Sequence, residues 1–150
     1  MNRVLFLVRV VLGLVFVVSG LEKALSPYEN FLYVIQSYDV LPKALEPGAA
    51  FLFPWCELLT GLFVLLGLWT SVGLRMVMLF STLFLGVVGQ AIVRELSITD
   101  CGCFGSLVQL PLHAVIFLDA SLLIGAAVCL KDLKAARRWS LDGLFARDGK

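Results

Sequence analysis

The chain has 150 residues and a formal net charge of +1, and 60% of its residues are hydrophobic while only 15% are charged. A typical soluble domain is about 45–50% apolar and about 25% charged, so this composition argues against a water-soluble core. The small net charge also excludes a bulk electrostatic attraction to nucleic acid. We therefore expect an all-α integral membrane protein of one domain.

Four long apolar runs support that class, at residues 4–21, 49–68, 72–93 and 112–130. A bilayer core of ~30 Å needs ~20 helical residues, and each run is close to that length. Their apolarity is continuous, without the alternation of a membrane barrel, so we predict a four-transmembrane-helix bundle. The alternative for the first run is a cleaved signal peptide, but the run is longer than a usual signal core.

The polar segments between the runs predict the orientation. Residues 22–48 and 94–111 hold three basic residues, whereas the polar segments on the other side hold eight, six of them in the tail. The positive-inside rule then places both termini in the cytoplasm. We expect a multi-pass protein of the cell inner membrane, with a membrane domain at residues 1–130 and a basic cytoplasmic tail at residues 131–150.

Part of the first outer loop has helical periodicity. Its apolar residues at helical spacing are Phe31, Val34, Ile35 and Tyr38. This spacing predicts an amphipathic helix on the membrane surface, ended by Pro42. Residues 133–145 of the tail have a similar pattern. A plain loop is the alternative for both segments.

The second outer loop carries the sharpest motif, Asp100-Cys101-Gly102-Cys103-Phe104-Gly105. Two thiols separated by one glycine, on the oxidising side of a membrane, can form a disulfide. We interpret Cys101 and Cys103 as a redox-active dithiol; the alternatives are a static disulfide or a metal site. A metal would need further ligands, for which His113 and Asp100 are the nearby candidates, and we expect none to bind.

Two carboxyl groups lie inside the apolar runs, those of Glu57 and Asp119. Ionisable groups at this depth are costly, by about 2.5–3.5 kcal/mol on insertion scales, so both should face the bundle interior. One interpretation is a proton-handling pair below the dithiol. The other is a structural hydrogen bond or ion pair, for example with Arg9 or Gln90.

The other two cysteines also fall in apolar runs. Cys56 is about as deep as Glu57, so exchange with the outer dithiol is conceivable. A lone cysteine in such a run more often packs as an inert apolar side chain, and we favour that interpretation. We assign no role to Cys129, which lies toward the other side of the membrane.

Small residues four positions apart permit helices to approach closely. Two such pairs occur in the third and fourth runs, Thr82 with Gly86 and Ser121 with Gly125. Both pairs therefore permit a close helix–helix contact.

Taken together, several short motifs resemble the DoxX-like superfamily and, within it, the MauE type of methylamine-utilisation protein. The resemblance covers roughly residues 8–130. The motifs that carry it are Gly20-Leu21-Glu22-Lys23, Tyr38-Asp39-Val40-Leu41-Pro42, Phe53-Pro54-Trp55 with Glu57 and Gly61, the cysteine motif, and Asp119. Cys56 and Leu118 depart from the pattern, because neither is the residue expected there.

The resemblance implies a membrane protein acting with periplasmic thiol chemistry, beside a separate thioredoxin-like protein and with a quinone as a conceivable cofactor. Our first hypothesis is a thiol–disulfide oxidoreductase in which Cys101, Cys103, Glu57 and Asp119 act, supporting disulfide formation or maturation of periplasmic enzymes. The second hypothesis is a non-catalytic assembly factor, and the third is a small-solute carrier that uses the buried carboxyls.

Overall fold

The computed structural model describes residues 2–95 and 112–136, and all regular structure within them is helical. The helices are α1 (Asn2–Leu25), α2 (Tyr28–Tyr38), α3 (Glu46–Leu66), α4 (Thr70–Val93), α5 (Leu112–Lys131) and α6 (Leu133–Ala136). Helices α1, α3, α4 and α5 are long and apolar enough to span a membrane. They coincide with the four predicted runs, so the predicted helical membrane bundle is confirmed.

The exterior of the bundle is apolar, as a protein surrounded by lipid requires. Large hydrophobic side chains point outward along all four long helices, among them Val93 at 84% exposure and Phe117 at 75%. Soluble monomers rarely expose apolar surface on this scale. The chain is therefore a multi-pass membrane protein embedded in a lipid bilayer.

The four long helices form a ring in which α1 contacts α3 and α5, and α4 contacts the same two neighbours. Helices α1 and α3 approach most closely, because glycines stand at their contact. A methyl group on Gly20 would lie 2.5 Å from the backbone nitrogen of Leu58, and one on Gly61 would lie 2.6 Å from that of Val17. Only glycine permits this backbone-to-backbone approach.

Of the two small-residue pairs that permit a close helix contact, one makes such a contact through its glycine. Gly125 does pack against α1, since a methyl group there would lie 3.3 Å from Val8 Cγ1. No atom of the described residues lies within 4 Å of a methyl group built on Gly86, and Thr82 is exposed and donates a hydrogen bond to the carbonyl of Met78 in its own helix.

Helix α2 packs beside the start of α3 and the last turns of α4, at the end of the bundle that we call the α2 end. It ends at Tyr38, before the predicted stop at Pro42, because Asp39 takes a left-handed conformation with φ of 47°. Gln36 Nε2 donates to Glu46 Oε2 at 3.0 Å and so ties α2 to the start of α3. Arg94 at the end of α4 pairs with Asp39 at 3.2 Å. The position of α2 on a membrane surface stays a prediction.

The start predicted for the first outer loop, at residue 22, is too early. Helix α1 continues to Leu25, so Lys23 is a buried residue of a membrane-spanning helix and not a loop residue. Only Lys43 and Arg94 then remain as basic residues of the outer segments. The charge asymmetry behind the predicted orientation becomes larger without Lys23.

The orientation is testable through the cysteines. We expect a membrane-impermeant alkylating reagent to label Cys101 and Cys103 in reduced, intact spheroplasts, because residues 94–111 are predicted to face the periplasm. The double variant Cys101→Ser/Cys103→Ser is the control and should lose this label. If the wild-type protein is labelled only after lysis, residues 94–111 face the cytoplasm and the predicted orientation is wrong.

Candidate functional site

The candidate site is built around an ion pair between α1 and α3. Lys23 Nζ lies 2.7 Å from Glu57 Oε2 and donates at 2.8 Å to Ser19 Oγ, which itself donates at 2.7 Å to Glu57 Oε1. Ser19 and Lys23 are four residues apart, so both face Glu57 from consecutive turns of α1. We call Ser19, Lys23 and Glu57 the Lys23–Glu57 cluster.

The Lys23–Glu57 cluster is almost completely closed to solvent and lipid. The side chains of Lys23 and Glu57 are 1% and 4% exposed. The ammonium also lies 5.6 Å from the centre of the Phe31 ring and 5.4 Å from that of Phe84, within the range of cation–π attraction. Each carboxylate oxygen of Glu57 accepts one hydrogen bond, so burial of the charged pair is compensated by charge-assisted contacts.

Asp119 of α5 adds a second carboxyl group to this region. It is 6% exposed, and the charges of Glu57 and Lys23 both act on it. Its Oδ2 has no hydrogen-bond partner among the residues that the structure describes. Two carboxyl groups and one ammonium group thus interact electrostatically in this region, and a proton on either carboxyl brings the net charge of the three groups to zero.

The structure bears out the inward orientation of Glu57 and Asp119 but not the suggested partners. Arg9 is 1% exposed and lies over the Phe6 ring at 5.3 Å, and the partner of Glu57 is Lys23. Gln90 Oε1 has no hydrogen-bond partner within the described ranges. Lys23 and Ser19 were missed, although their spacing of four on one helix face was visible in the sequence.

The predicted dithiol, Cys101 and Cys103, lies outside the described residues. Both flanks of that segment, Glu95 after α4 and Leu112 at the start of α5, lie at the α2 end of the bundle. The segment is therefore attached to the end of the bundle at which Lys23 lies, two residues before the end of α1.

The structure describes the positions of the two remaining cysteines, Cys56 and Cys129. Cys56 is exposed on α3, and its inertness stays a prediction. Cys129 is buried, with its Sγ 3.7 Å from the carbonyl oxygen of Leu5, near the start of α1 and thus at the end opposite α2.

Comparison with known proteins agrees with the membrane architecture. The family model described as methylamine utilisation protein MauE matches residues 1–132. No curated protein and no solved structure matches the chain. The matched range contains all four long helices, the Lys23–Glu57 cluster, Asp119 and the cysteine motif.

Proposed function

This chain belongs to the MauE family, and from that premise we propose that it is a membrane thiol–disulfide redox protein of methylamine utilisation. In this proposal Cys101 and Cys103 form a reversible disulfide on the periplasmic face of the inner membrane. The electron donor is a separate thioredoxin-like protein. The wider relationship to DoxX-like proteins is part of the same proposal.

The proposed reaction is a thiol–disulfide exchange followed by reoxidation. A thiolate of the partner attacks the Cys101–Cys103 disulfide, the partner's second thiol resolves the mixed disulfide, and the partner leaves oxidised while two thiols form here. Two electrons and two protons must then leave those thiols. A lipid-soluble quinone, reduced to the quinol, is the class of acceptor that a membrane supplies.

The observation that carries the proposal is the buried group of Ser19, Lys23, Glu57 and Asp119. Unpaired charge at bilayer depth is costly, so ionisable residues there generally serve a function or form a pair. Lys23 and Glu57 form the pair, and Asp119 is the additional carboxyl beside it. This group supports a route for the protons that thiol oxidation releases at the same end of the bundle.

The size of the cysteine ring favours a reversible disulfide. A disulfide stabilises chiefly by removing loop entropy from the unfolded chain, and a three-residue loop gives only about 1.6 kcal/mol by that relation. A ring this small is also strained, which favours reduction. Asp100 has a smaller effect that disfavours thiol–disulfide exchange, because a neighbouring negative charge raises the pKa of a thiol.

One observation favours the alternative of a non-catalytic assembly factor. The hydrogen bonds of the Lys23–Glu57 cluster satisfy both carboxylate oxygens of Glu57, as a purely structural pair would. In that case the disulfide is only a structural crosslink, and the outer segments bind a maturing enzyme.

The two functions differ in the redox behaviour of the cysteines. We expect the purified protein to have a disulfide potential above the range of structural disulfides, which typically lie below about −300 mV. We also expect a reduced thioredoxin whose resolving cysteine is replaced by serine to remain trapped in a mixed disulfide with it. Equilibration with glutathione buffers and gel analysis of the adduct measure the two quantities.

The matched control keeps Cys56 and Cys129 and removes only the proposed pair. The variant Cys101→Ser/Cys103→Ser should form no adduct, while Cys56→Ser should form as much as the wild type. Full maturation activity in the double serine variant, together with a potential well below −300 mV in the wild type, would leave the assembly function and exclude the redox function.

A further inference from the structure

A second site lies beside the Lys23–Glu57 cluster, in a cavity of about 260 Å³ between α2, α3 and α4. Helix α2 supplies Phe31 and Tyr38 to its wall, α3 supplies Phe53, and α4 supplies Phe84 and Val87. Three of the twelve lining residues are phenylalanines, and the redox proposal uses none of the twelve as a reacting group.

The chemistry of the wall selects an apolar ligand. Among the lining residues that the structure describes, nearly all of the surface is hydrocarbon, and Tyr38 carries the one side-chain polar group. Burial raises the pKa of the Tyr38 phenol above its ordinary value of 10.0, so the wall carries no charge at neutral pH. A cavity of this kind offers water too few hydrogen-bond partners, as in a smaller apolar cavity of about 150 Å³ that stays dry. A polar headgroup has nothing to bind inside it.

The size of the cavity fits part of a hydrocarbon chain. An apolar cavity of about 150 Å³ accommodates one benzene molecule, so by proportion a cavity of 260 Å³ accommodates roughly ten carbon atoms. If the cavity were empty, the side chains that line it would lack dispersion contacts on the side that faces the cavity.

The mouth of the cavity is lined by exposed apolar side chains. The lining residues Val40, Leu41 and Leu83 are 48%, 37% and 46% exposed, and together they form an apolar rim. Lys43, an exposed cation, follows Leu41 by two residues. A chain entering from the lipid can therefore keep an anionic headgroup outside, near a positive charge.

From this arrangement we infer that the cavity between α2, α3 and α4 binds one acyl chain of an anionic phospholipid. Phe31 and Phe84 line the cavity and also lie against the Lys23 ammonium. A bound chain thus packs on the two rings that cover the ion pair. The inference does not depend on the redox chemistry of the cysteines.

Photolabelling tests the inference. The full-length protein is placed in nanodiscs with a phosphatidylglycerol that carries a diazirine near the middle of one chain, and labelled peptides are mapped after irradiation. We expect label on the α2, α3 and α4 residues of the cavity wall. Val87→Phe, which fills the cavity from α4, should reduce this label about tenfold because the added ring takes the space of the chain.

The controls separate this site from general lipid contact. Val93→Phe adds the same ring on the same helix at a position that is 84% exposed and outside the cavity, and should leave the labelling of the wall unchanged. Ala49→Leu fills the cavity from α3 and replaces Val87→Phe if that variant does not fold.

Three outcomes would overturn the inference. The first is wall labelling that is the same in Val87→Phe, Ala49→Leu and the wild type. The second is a wild-type wall that takes no label. The third is displacement of the label by an equal concentration of a polyprenyl quinone, which would assign the cavity to an isoprenoid chain instead of a phospholipid.

Discussion

Lys23→Met is expected to lower the free energy of unfolding by about 3–5 kcal/mol, the usual cost of removing one partner of a buried ion pair. The Glu57 carboxylate would keep the hydrogen bond from Ser19 but lose its counter-ion, in a place where its side chain is 4% exposed. Reversible unfolding in mixed micelles of a mild detergent and dodecyl sulfate measures the change. Lys43→Met, at an exposed lysine, should have little effect.

The double variant Lys23→Met/Glu57→Met distinguishes the charge from the packing. Replacing a whole buried pair by apolar residues of similar size is often neutral or stabilising, so we expect this variant to recover most of the lost stability. If the Lys23→Met protein is as stable as the wild type, the ion pair between Lys23 and Glu57 is not buried as described.

The same double variant also tests the proton-handling role. If the Lys23–Glu57 cluster serves the redox reaction, the double variant stays folded in the membrane but loses turnover of the thioredoxin-like partner. Unchanged turnover in a folded double variant would assign the cluster to structure alone.

Gly20→Ala is expected to destabilise the bundle by about 1–3 kcal/mol or more, the range for overpacking a close contact. The added methyl group would lie 2.5 Å from the backbone nitrogen of Leu58, and backbone cannot move aside by changing a rotamer. Helices α1 and α3 must then separate. Because Ser19 and Lys23 flank Gly20, the separation should also weaken their contacts with Glu57.

Gly86→Ala is the matched control for that prediction. Gly86 is also in the interior of a membrane-spanning helix, but within residues 2–95 and 112–136 nothing lies within 4 Å of a methyl group built on it. Alanine is a better helix former than glycine by about 1 kcal/mol, so this variant should be neutral or slightly stabilising. Equal destabilisation of Gly20→Ala and Gly86→Ala, measured by the same unfolding assay, would contradict a special role of the α1–α3 contact.

The sequence alone determined the architecture, because a bilayer acts on each segment locally. A helix that crosses a hydrocarbon core must present ~20 apolar residues, and that requirement is visible without knowing the neighbours. The run predicted at residues 49–68 corresponds to the helix Glu46–Leu66, and the run at residues 72–93 corresponds to the helix Thr70–Val93. The inward orientation of Glu57 and Asp119 was predictable for the same reason, since the cost of a charge in lipid depends on depth.

Tertiary structure decided which groups meet. Lys23 resembled a loop residue by its charge, and only its contact with Glu57, 34 residues away, explains why α1 continues past it to Leu25. Small residues likewise occur on all four long helices, but close packing needs complementary surfaces on both partners. Gly20 and Gly61 meet a facing backbone, whereas Gly86 faces open space. Pairing of this kind depends on two distant segments at once, so the pattern of either segment by itself does not contain it.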